Sequence, residues 1–594
     1  MRTLCRLAFA LLLAASALAD DVSDARAVFE GNINAIRERN REKYLSFYLH
    51  APQLVRGGAT GFSTGFDEFA KGAGSQWPDL IEANDIHLTP LQPGVVYGTY
   101  RYRVRYGADE HVGISERLFV KTNDGWKIAV TGAIDAPPGT PAPPRALTGA
   151  TLITSIVDQQ PIANANVIMR DGKIECAGNA TRCPIPEGID VTDVHGMWIT
   201  PGLIDAHVHF SQTGWADGRP DSLDLRAKHP YEAVEADLAA NPERYARSYI
   251  CSGVTSVFDV GGYPWTLRLN ERFANDTLAP HVVAAGPLLS TLDHWLNLAA
   301  ERQFMVLKDE ASAREGVAYL ASHGAKAVKV WFIVSKDLAV EQSTPAVIAA
   351  GIEARKRELP LIVHATGLVE AKAALRAGAN VLVHSVEDVP VDAEFLDLAH
   401  KNGTIVIPTL TVLDGYVKMY RGAADHKIPS IDDPNKCVDH ATMVNVAETA
   451  SVDATSFTPA RMARIEARAK TFTEITRKNL KTLADNGIPI ATGTDAGNPL
   501  TLHGPAIYAE MDAMQSSGMQ PVDVVIASTA TAARAMGIDK QTGTIEKGKD
   551  ADLLVLAADP TKDVANFRKI RYVARAGVLR AIDDLSALAQ NPQH

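Results

Sequence analysis

The chain has 594 residues, of which 46% are hydrophobic and 22% are charged, and its formal net charge is −11. This length predicts more than one domain, and this composition is that of an ordinary globular protein. The acidic balance, with no block of basic residues, argues against nucleic acid and anionic membrane surfaces as partners.

The first residues, 1–19, predict a signal peptide. Arg2 and Arg6 lie before the apolar run 7–13, and small residues near Ala19 offer a cleavage site. A membrane anchor would need about 20 apolar residues, which is more than this run contains. We therefore expect an exported protein, either periplasmic or secreted.

Export bears on the four cysteines of the mature chain, because disulfides form in oxidising compartments. Cys176 and Cys183 are close enough in sequence to staple a hairpin loop. A free buried thiol or a different pairing are the alternatives, and no Cys-x-x-Cys pattern indicates metal binding.

Residues 20–135 predict a small α+β domain. Helical patterns cover 24–49, and strands follow at 95–104, 114–120 and 126–130. This order resembles the nuclear-transport-factor-like α+β cone fold, whose members can be enzymes, ligand binders or dimerisation modules. No catalytic pair stands out, so we interpret the domain as accessory. The proline-rich stretch 136–146 predicts a semi-rigid linker.

The rest of the chain predicts an α/β architecture. Two β-rich flanks, 147–200 and 541–594, are expected to combine into one small β-sandwich domain. Between them, 201–540 alternates strands with helices, which predicts a parallel sheet and favours a closed (β/α)8 TIM barrel. An open doubly wound sheet is the alternative, but no glycine-rich phosphate fingerprint follows a strand. The eight strand signals are 199–210, 254–260, 281–285, 327–332, 361–364, 381–384, 404–408 and 488–494.

Polar residues at the ends of these strands form one candidate site, since active sites of such barrels lie at that face. His207 and His209 point to the same side of a strand, as two ligands of a divalent metal would. Taken singly, each candidate is more typical of a structural role, but their common position favours a shared site. The others are Lys329, His364, His384 and Asp495.

The stretch Pro201-Gly202-Leu203-Ile204-Asp205-Ala206-His207-Val208-His209, the later lysine and histidines, and Gly493–Gly497 resemble the amidohydrolase superfamily of metal-dependent hydrolases. The nearest branch is the imidazolonepropionase-like and prolidase-like group. The resemblance extends from about residue 147 to 580, because 543–553 is similar to the family's return into its sheet domain.

The resemblance implies two divalent metal ions, expected to be zinc. His207, His209 and Asp495 would bind one metal, and His364 and His384 the other, with Lys329 bridging both as a carbamate. A metal-bridging hydroxide would attack the substrate, and Asp495 would be the proton shuttle.

Two further histidines are expected to face the substrate. His294 follows the third strand, although this chain lacks the glycines that relatives carry there. His503 lies where relatives place a His-Gly pair, with a structural role at a helix N-terminus as the alternative. The long connection 419–472 is interpreted as a partial lid.

The expected activity is hydrolysis of a C–N bond in a small amide, dipeptide or N-acyl amino acid. Hydrolysis of a cyclic amide, ester or lactone at the same site is one alternative. A ligand-binding protein that has lost catalysis is another, against which the full ligand set argues. The sequence does not define the substrate, and it leaves a homo-oligomer open.

Overall fold

A computed structural model describes residues 2–589, except 59–60, 108, 138–139, 141–142, 294–296, 299–300 and 336–337, and describes no side chains of 2–19 or 587–589. The chain divides into two compact units. The first comprises residues 1–148 and 165–193, and the second comprises 149–164 and 194–594.

The first unit combines helices with a six-stranded sheet in the order β2-β1-β6-β5-β4-β3. Phe29 and Ile33 of the first helix share an apolar core with Phe119 and Ile128 of the sheet. The elements are α1 (Arg2–Arg37), α2 (Arg41–Ser46), β1 (Val55–Gly58), β2 (Gly61–Thr64), α3 (Phe66–Gly72), β3 (Leu80–Gln92), β4 (Val95–Tyr106), β5 (Asp109–Thr122) and β6 (Gly125–Asp135). The helix α1 includes the predicted signal segment. Helices and strands lie at the predicted positions, but β1, β2 and α3 come between the first helices and the antiparallel strands β3–β6. The likeness to the cone fold stays a prediction.

Four further strands follow: β7 (Arg145–Leu152), β8 (Ile162–Arg170), β9 (Lys173–Asn179) and β10 (Asp190–Asp193). In the first unit, β8 and β9 form an antiparallel hairpin, and β10 pairs with the beginning of β7. A disulfide joins Cys176 to Cys183, which closes the loop after this hairpin.

The strands of the second unit are β11 (Trp198–Pro201), β12 (Leu203–Val208), β13 (Val254–Asp259), β14 (His281–Ala284), β15 (Leu288–Ser290), β16 (Phe304–Val306), β17 (Val328–Trp331), β18 (Leu361–His364), β19 (Val381–Val383), β20 (Ile405–Ile407), β21 (Leu553–Leu556), β22 (Ile570–Arg575) and β23 (Val578–Ala581). Seven of the eight predicted strand positions therefore carry a strand, and the eighth, 488–494, is extended chain with single bridges.

The helices of this unit are α4 (Tyr231–Ala240), α5 (Glu243–Cys251), α6 (Leu269–Arg272), α7 (Glu310–Ser322), α8 (Val340–Lys356), α9 (Leu368–Arg376), α10 (Ala393–Asn402), α11 (Val412–Ala424), α12 (His440–Glu448), α13 (Pro459–Asp485), α14 (Ala506–Ser516), α15 (Pro521–Ile526), α16 (Ala532–Met536) and α17 (Ile582–Ala589). Short 3-10 turns lie at Ala216–Gly218, Pro264–Arg268, Thr449–Ser451 and Val564–Arg568, and a π-helical turn lies at Ala527–Thr531. Across the part of the chain that the structure describes, no helix has the length and apolar character to cross a membrane.

The central strands of the second unit form two parallel sheets, and their fold class is mixed α/β. One sheet has the order β12-β13-β14, and the other has the order β16-β15-β17-β18-β19-β20. The strands β12 and β13 are buried on both faces, as expected for parallel strands covered by helices. The sheets are assigned separately, so the predicted closed barrel is not itself observed.

The C-terminal strands return to the strand that precedes the candidate site. The strand β21 pairs antiparallel with β11 from Leu553 opposite Pro201 to Leu556 opposite Trp198, and β22 and β23 extend this sheet. The flanks of the α/β region are thus joined by strand pairing. A second sheet packed against this one, as a sandwich requires, is not assigned among the described residues.

Candidate metal centre

The candidate ligands meet at the carboxyl ends of the parallel strands. His207 lies near the end of β12, and His364 is the last residue of β18. Asp495 joins them because its backbone N–H donates to the carbonyl of His207 at 2.8 Å, which aligns the extended segment 490–496 with β12. The backbone pairing therefore brings together residues that are almost 300 positions apart in the chain.

Three of the predicted ligands converge on one point. The Nε2 atoms of His207 and His209 lie 3.2 Å apart. Oδ1 of Asp495 lies 3.3 Å from Nε2 of His207 and 3.1 Å from Nε2 of His209. All three side chains are buried, so water does not separate them from one another.

The chemistry of these donors fits a divalent cation. His209 donates from Nδ1 to the carbonyl of Gly261 at 2.6 Å, which leaves the lone pair of its Nε2 directed at the other two ligands. Burial lowers the pKa of His207 well below its usual value, so this ring is neutral. Its Nδ1 is buried without a hydrogen-bond partner. Converging imidazole nitrogens and a carboxylate oxygen are the ligand set of zinc and related metals.

Asp495 is a carboxylate in this environment. Burial alone would raise the pKa of Asp495, whereas a proton on His207 or His209 lowers it well below the usual value, and a divalent cation bound between the three groups would act in the same direction. The group is therefore ionised and able to accept a proton or bind a metal.

His364, His384 and Lys329 complete the set on the neighbouring strands. The ring centroids of His364 and His384 lie 4.4 Å apart, and those of His384 and His207 lie 5.0 Å apart. The Nδ1 atom of His384 hydrogen-bonds Oγ1 of Thr409 at 2.7 Å, which fixes the ring. Lys329, in the middle of β17, is only 1% exposed, and burial lowers its pKa to about 7. Burial also lowers the pKa of His384 to about 4.

Two of these side chains stand on left-handed backbone. The φ angle is 73° at His384 and 62° at Asp495, in a region that non-glycine residues seldom adopt. Such strain persists only where the surrounding structure imposes it, and it is concentrated at functional sites. The observation is independent of any sequence resemblance.

A buried carboxylate behind the ligands was missed by the sequence analysis. Asp205 accepts hydrogen bonds from the N–H of Thr494 at 2.9 Å and from its hydroxyl at 2.6 Å, and a third from the N–H of His207 at 3.3 Å. It thereby ties β12 to the segment that carries Asp495. Its signal in the sequence is a charged residue inside an otherwise apolar strand.

A cavity of about 320 Å³ opens above the ligands. Its wall includes both charged and aromatic side chains, and the helix α13 contributes Arg468 and Phe472, so part of the long connection predicted as a lid does line the cavity. The wall residues other than the ligands include Gln212, Arg219, Asp221, Gln303, Trp331, Glu387, Tyr416 and Asn498.

The two guanidinium groups of the wall differ in their neighbours. Arg219 is half-buried and forms a bidentate pair with Asp221, at 2.9 and 2.8 Å, so its charge is matched. Arg468 forms no hydrogen bond or ion pair with any described residue. The charge of Arg468 acts on Glu387 in the same wall. Burial raises the pKa of Glu387, and Arg468 offsets part of this rise.

His503, one of the two histidines expected to face the substrate, does not lie in the wall of this cavity. His503 is buried below it, where Nδ1 accepts from the Tyr249 hydroxyl and Nε2 donates to the carbonyl of Gln212, each at 2.9 Å. Both ring nitrogens are thus used by the protein, and His503 is absent from the cavity wall. His294 lies outside the described residues.

A second disulfide, which the sequence analysis left open, lies in this unit. Cys251 at the end of α5 is bonded to Cys437, which lies 186 positions further along the chain. Both residues are buried, and the bond ties the segment before α12 to the helix that packs against β13.

Comparison with known proteins gives the family. The model of the amidohydrolase family matches residues 198–580, which is more than half of the chain. The chain belongs to the amidohydrolase family. As a member, it is a hydrolase that acts on carbon–nitrogen bonds, and the family is generally metal-dependent.

Individual relatives of this amidohydrolase are distant. Ochratoxinase of Aspergillus niger is 22% identical over 447 residues, which cover 70% of this chain and 82% of that protein. Imidazolonepropionase of Thermoplasma acidophilum is 40% identical over 76 residues, which cover 13% of this chain and 18% of that protein.

Solved structures share the fold of this amidohydrolase. A Xaa-Pro dipeptidase with bound methionine matches with a TM-score of 0.56 and 22% identity. The match covers 74% of this chain and 100% of the dipeptidase. The crystal structure of Aspergillus niger ochratoxinase matches with a TM-score of 0.55 and 20% identity, covering 74% and 96%.

Proposed function

We propose that this amidohydrolase is a metal-dependent enzyme that cleaves the amide bond of a small substrate with a free carboxylate, such as a dipeptide or an N-acyl amino acid. The observation that carries the proposal is the convergence of two Nε2 atoms and one carboxylate oxygen, all within 4.8 Å of one another, at the floor of a cavity. A family match alone would give the reaction class but not its location.

Two zinc ions are the proposed cofactors. His207, His209 and Asp495 would hold one, and His364 and His384 would hold the other. When bound, such metals supply Lewis-acid activation of water and of the substrate carbonyl. The proposal for two ions is supported by the short spacing of His207, His384 and His364, whose rings follow one another at 5.0 and 4.4 Å.

Lys329 is proposed to bridge the two ions as a carbamate. A protonated amine cannot bind a cation, whereas a lysine that has added carbon dioxide and lost a proton presents two oxygens that share one negative charge. Only the unprotonated amine reacts with carbon dioxide, and burial favours that form of Lys329. Its position in β17, beside the strand that ends in His364, supports this role.

Asp495 is proposed as the proton shuttle. Its carboxylate would accept a proton from the attacking water and later donate it to the leaving nitrogen, so that water adds across the C–N bond. The attacking oxygen ends in the new carboxylate and the proton ends on the new amine. The close approach of Asp495 to His207 and His209 supports this assignment, because it places the carboxylate at the metal position.

The substrate class rests on charge and on the relatives. Arg468 forms no hydrogen bond or ion pair with any described residue, and its guanidinium at the cavity wall would bind a substrate carboxylate. Similar proteins are named as a dipeptidase and an ochratoxinase. We propose further that the two parallel sheets close into one barrel, since Val208 bridges to Ala496 and Val406 to Ile490.

Export through the predicted signal peptide, to the periplasm or the medium, is proposed on the sequence pattern. The domain arrangement predicted from the sequence is proposed likewise. Sequencing the mature N-terminus tests export, because the proposal requires a chain that begins near Asp20. A mature protein that retains Met1 would contradict it.

A substrate screen tests the proposed reaction. Metal-loaded protein is incubated with dipeptides, N-acyl amino acids and cyclic amides, and released amines are measured. We expect hydrolysis of acyclic amides that carry a carboxylate, and none with the Asp495→Asn variant. Hydrolysis of only cyclic amides, or of neutral amides as fast as of acids, would contradict the proposed substrate class.

A further inference from the structure

The first unit contains a cavity of about 630 Å³ that the amidohydrolase chemistry does not use. Its size is within the range of small-molecule sites, which lies between about 300 and 1,000 Å³. The wall is formed by residues of 36–133, and it has aromatic, polar and cationic parts. Its aromatic members are Tyr44, Tyr48, Phe62, Phe69, Trp77, Tyr100 and Tyr106.

A buried guanidinium lines this cavity. Arg117 lies on β5 at an inward-facing position between Ser115 and Phe119, and it is only 4% exposed. It donates to Oδ1 of Asn32 at 2.5 Å and to the hydroxyls of Tyr48 and Tyr100 at 3.4 and 3.0 Å. Each of these acceptors is neutral, and Nε of Arg117 is buried with no acceptor.

The positive charge of Arg117 is therefore unmatched. No carboxylate forms an ion pair with it, and no aspartate or glutamate occurs among the described residues of the cavity wall. The ring faces of Phe29 and Tyr100, 5.8 and 5.4 Å from the guanidinium carbon, stabilise the cation without neutralising it. Arg56, an exposed residue of β1, adds a second positive charge to the same wall. A buried cation without a counter-ion is costly, and an anionic ligand would supply the missing charge.

The hydrogen bonds around Arg117 lead to the same conclusion. The Tyr48 hydroxyl accepts from Arg117 and donates to the Tyr44 hydroxyl at 2.8 Å. The Tyr44 proton then has no acceptor among the described residues, and neither has the proton of Tyr100, whose oxygen already accepts from Arg117. Burial raises the pKa of Tyr44 well above its usual value, so the hydroxyl keeps its proton. The network ends in donors at the cavity wall, and it lacks an acceptor.

We infer that this cavity is a second ligand site, which binds a small aromatic carboxylate. The anionic group would accept from Tyr44 and Tyr100 beside Arg117, and the ring would pack against the aromatic wall near Trp77. The Tyr44 and Trp77 rings lie 5.6 Å apart and nearly perpendicular, at 87°, which leaves ring faces and edges for an aromatic guest. The inference is independent of the proposed substrate of the amidohydrolase site.

Isothermal titration of the full-length holoenzyme tests this site. The probes are phenylacetate and naphthylacetate, with phenylethanol and naphthylethanol as their neutral counterparts, none of which contains an amide bond. We expect at least one acid to bind about tenfold or more tightly than its alcohol, because a charged hydrogen bond is the stronger one. If no acid binds, or if acid and alcohol bind equally, the inference is wrong.

Variants locate the binding. Arg117→Met should abolish the preference for the acid, and Tyr44→Phe, which keeps the ring, should weaken the acid several-fold. Arg226→Met and Tyr319→Phe are matched controls on the second unit and should bind as the wild type does. If Arg117→Met does not fold, Tyr44→Phe decides alone. Unchanged acid binding in the variants that fold would overturn the inference.

Discussion

Asp495 combines three properties that rarely coincide in one residue. It is buried, it approaches two histidines, and it stands on left-handed backbone. An aspartate that only ends a strand would need neither burial nor proximity to two histidines. These properties support the proposed role of Asp495 in the metal centre.

We expect Asp495→Asn to lower kcat by about a thousandfold, because an amide cannot accept the proton of the attacking water. His207 and His209 remain, so metal content should fall little. Metal analysis and steady-state kinetics on a verified substrate measure both. Asp485→Asn, at the exposed end of α13, is the matched control, and wild-type turnover in Asp495→Asn would contradict the proton shuttle.

His503 gives a prediction about acid stability. Burial lowers its pKa to about 3, against the ordinary value of about 6.5, so the folded protein keeps this ring neutral while the unfolded chain protonates it. Its contribution to stability is present above about pH 6.5 and is lost as the pH falls toward 3.

We therefore expect the wild type to lose about 2 kcal/mol more stability between about pH 7 and pH 5 than His503→Gln does. Glutamine offers one donor and one acceptor but does not titrate. Urea unfolding of the second unit at both pH values measures the difference. The variant His400→Gln, which replaces an exposed histidine, should retain the wild-type pH dependence. If His503→Gln lost as much stability between the two pH values as the wild type, the proposal that His503 stays neutral in the folded protein would be wrong.

At the scale of elements, the sequence predicted where strands occur better than how they pair. The apolar run 199–210 was predicted as one strand, and the structure divides it at Gly202. The reason is strand pairing. Because β11 pairs with β21 and β12 pairs with β13, the two halves of this apolar run belong to different sheets. A Cβ at position 202 would also collide with Thr255.

The ligand positions were predictable for a related reason. Strand ends of a parallel sheet share one edge, so His207, His364 and His384 could be placed together from local patterns alone. The support from Asp205 and the bond between Cys251 and Cys437 could not, because each depends on a partner far away in sequence. His503 was misplaced because its neighbours, Tyr249 and Gln212, have no signal near it.

The helix α13 gives a prediction about specificity. Arg468→Gln should raise KM for carboxylate substrates by about tenfold and change kcat little, because the guanidinium binds a group remote from the reacting bond. Arg464→Gln, one turn earlier on the same helix and outside the cavity wall, should leave KM unchanged. Equal effects of the two variants would show that Arg468 does not contact the substrate.

The two disulfides should differ in their effect on stability. The bond between Cys251 and Cys437 closes a loop of 186 residues, and that between Cys176 and Cys183 a loop of 7. Chain entropy predicts at most about 5 kcal/mol for the first and about 2 kcal/mol for the second. Calorimetry of Cys251→Ala/Cys437→Ala and Cys176→Ala/Cys183→Ala measures this difference as shifts in Tm, and equal shifts would contradict it.

At the scale of the whole molecule, each unit has its own core and its own cavity. The candidate metal ligands all belong to the second unit. Effects of metal binding on stability are therefore expected in the unfolding of that unit.

Removal of metal by a chelator should abolish hydrolysis and lower the Tm of the second unit, since a ligand that binds only the folded state stabilises it. Zinc should restore both, with two equivalents per chain at full activity. Calorimetry and metal analysis on the same samples test this. One equivalent in fully active protein would contradict the bridging role of Lys329, and an unchanged Tm would contradict the metal centre itself.

The left-handed backbone at His384 and Asp495 has a consequence for how such sequences diverge. Glycine or asparagine would relax the backbone at both positions, so we expect the proposed metal-binding role to oppose their replacement. In descendants of this chain that have lost catalysis, we expect substitutions first at these two positions. Asp205 and the buried strands should be retained because they stabilise the fold. A homologue that carries glycine at either position can be expected to have exchanged turnover for thermal stability.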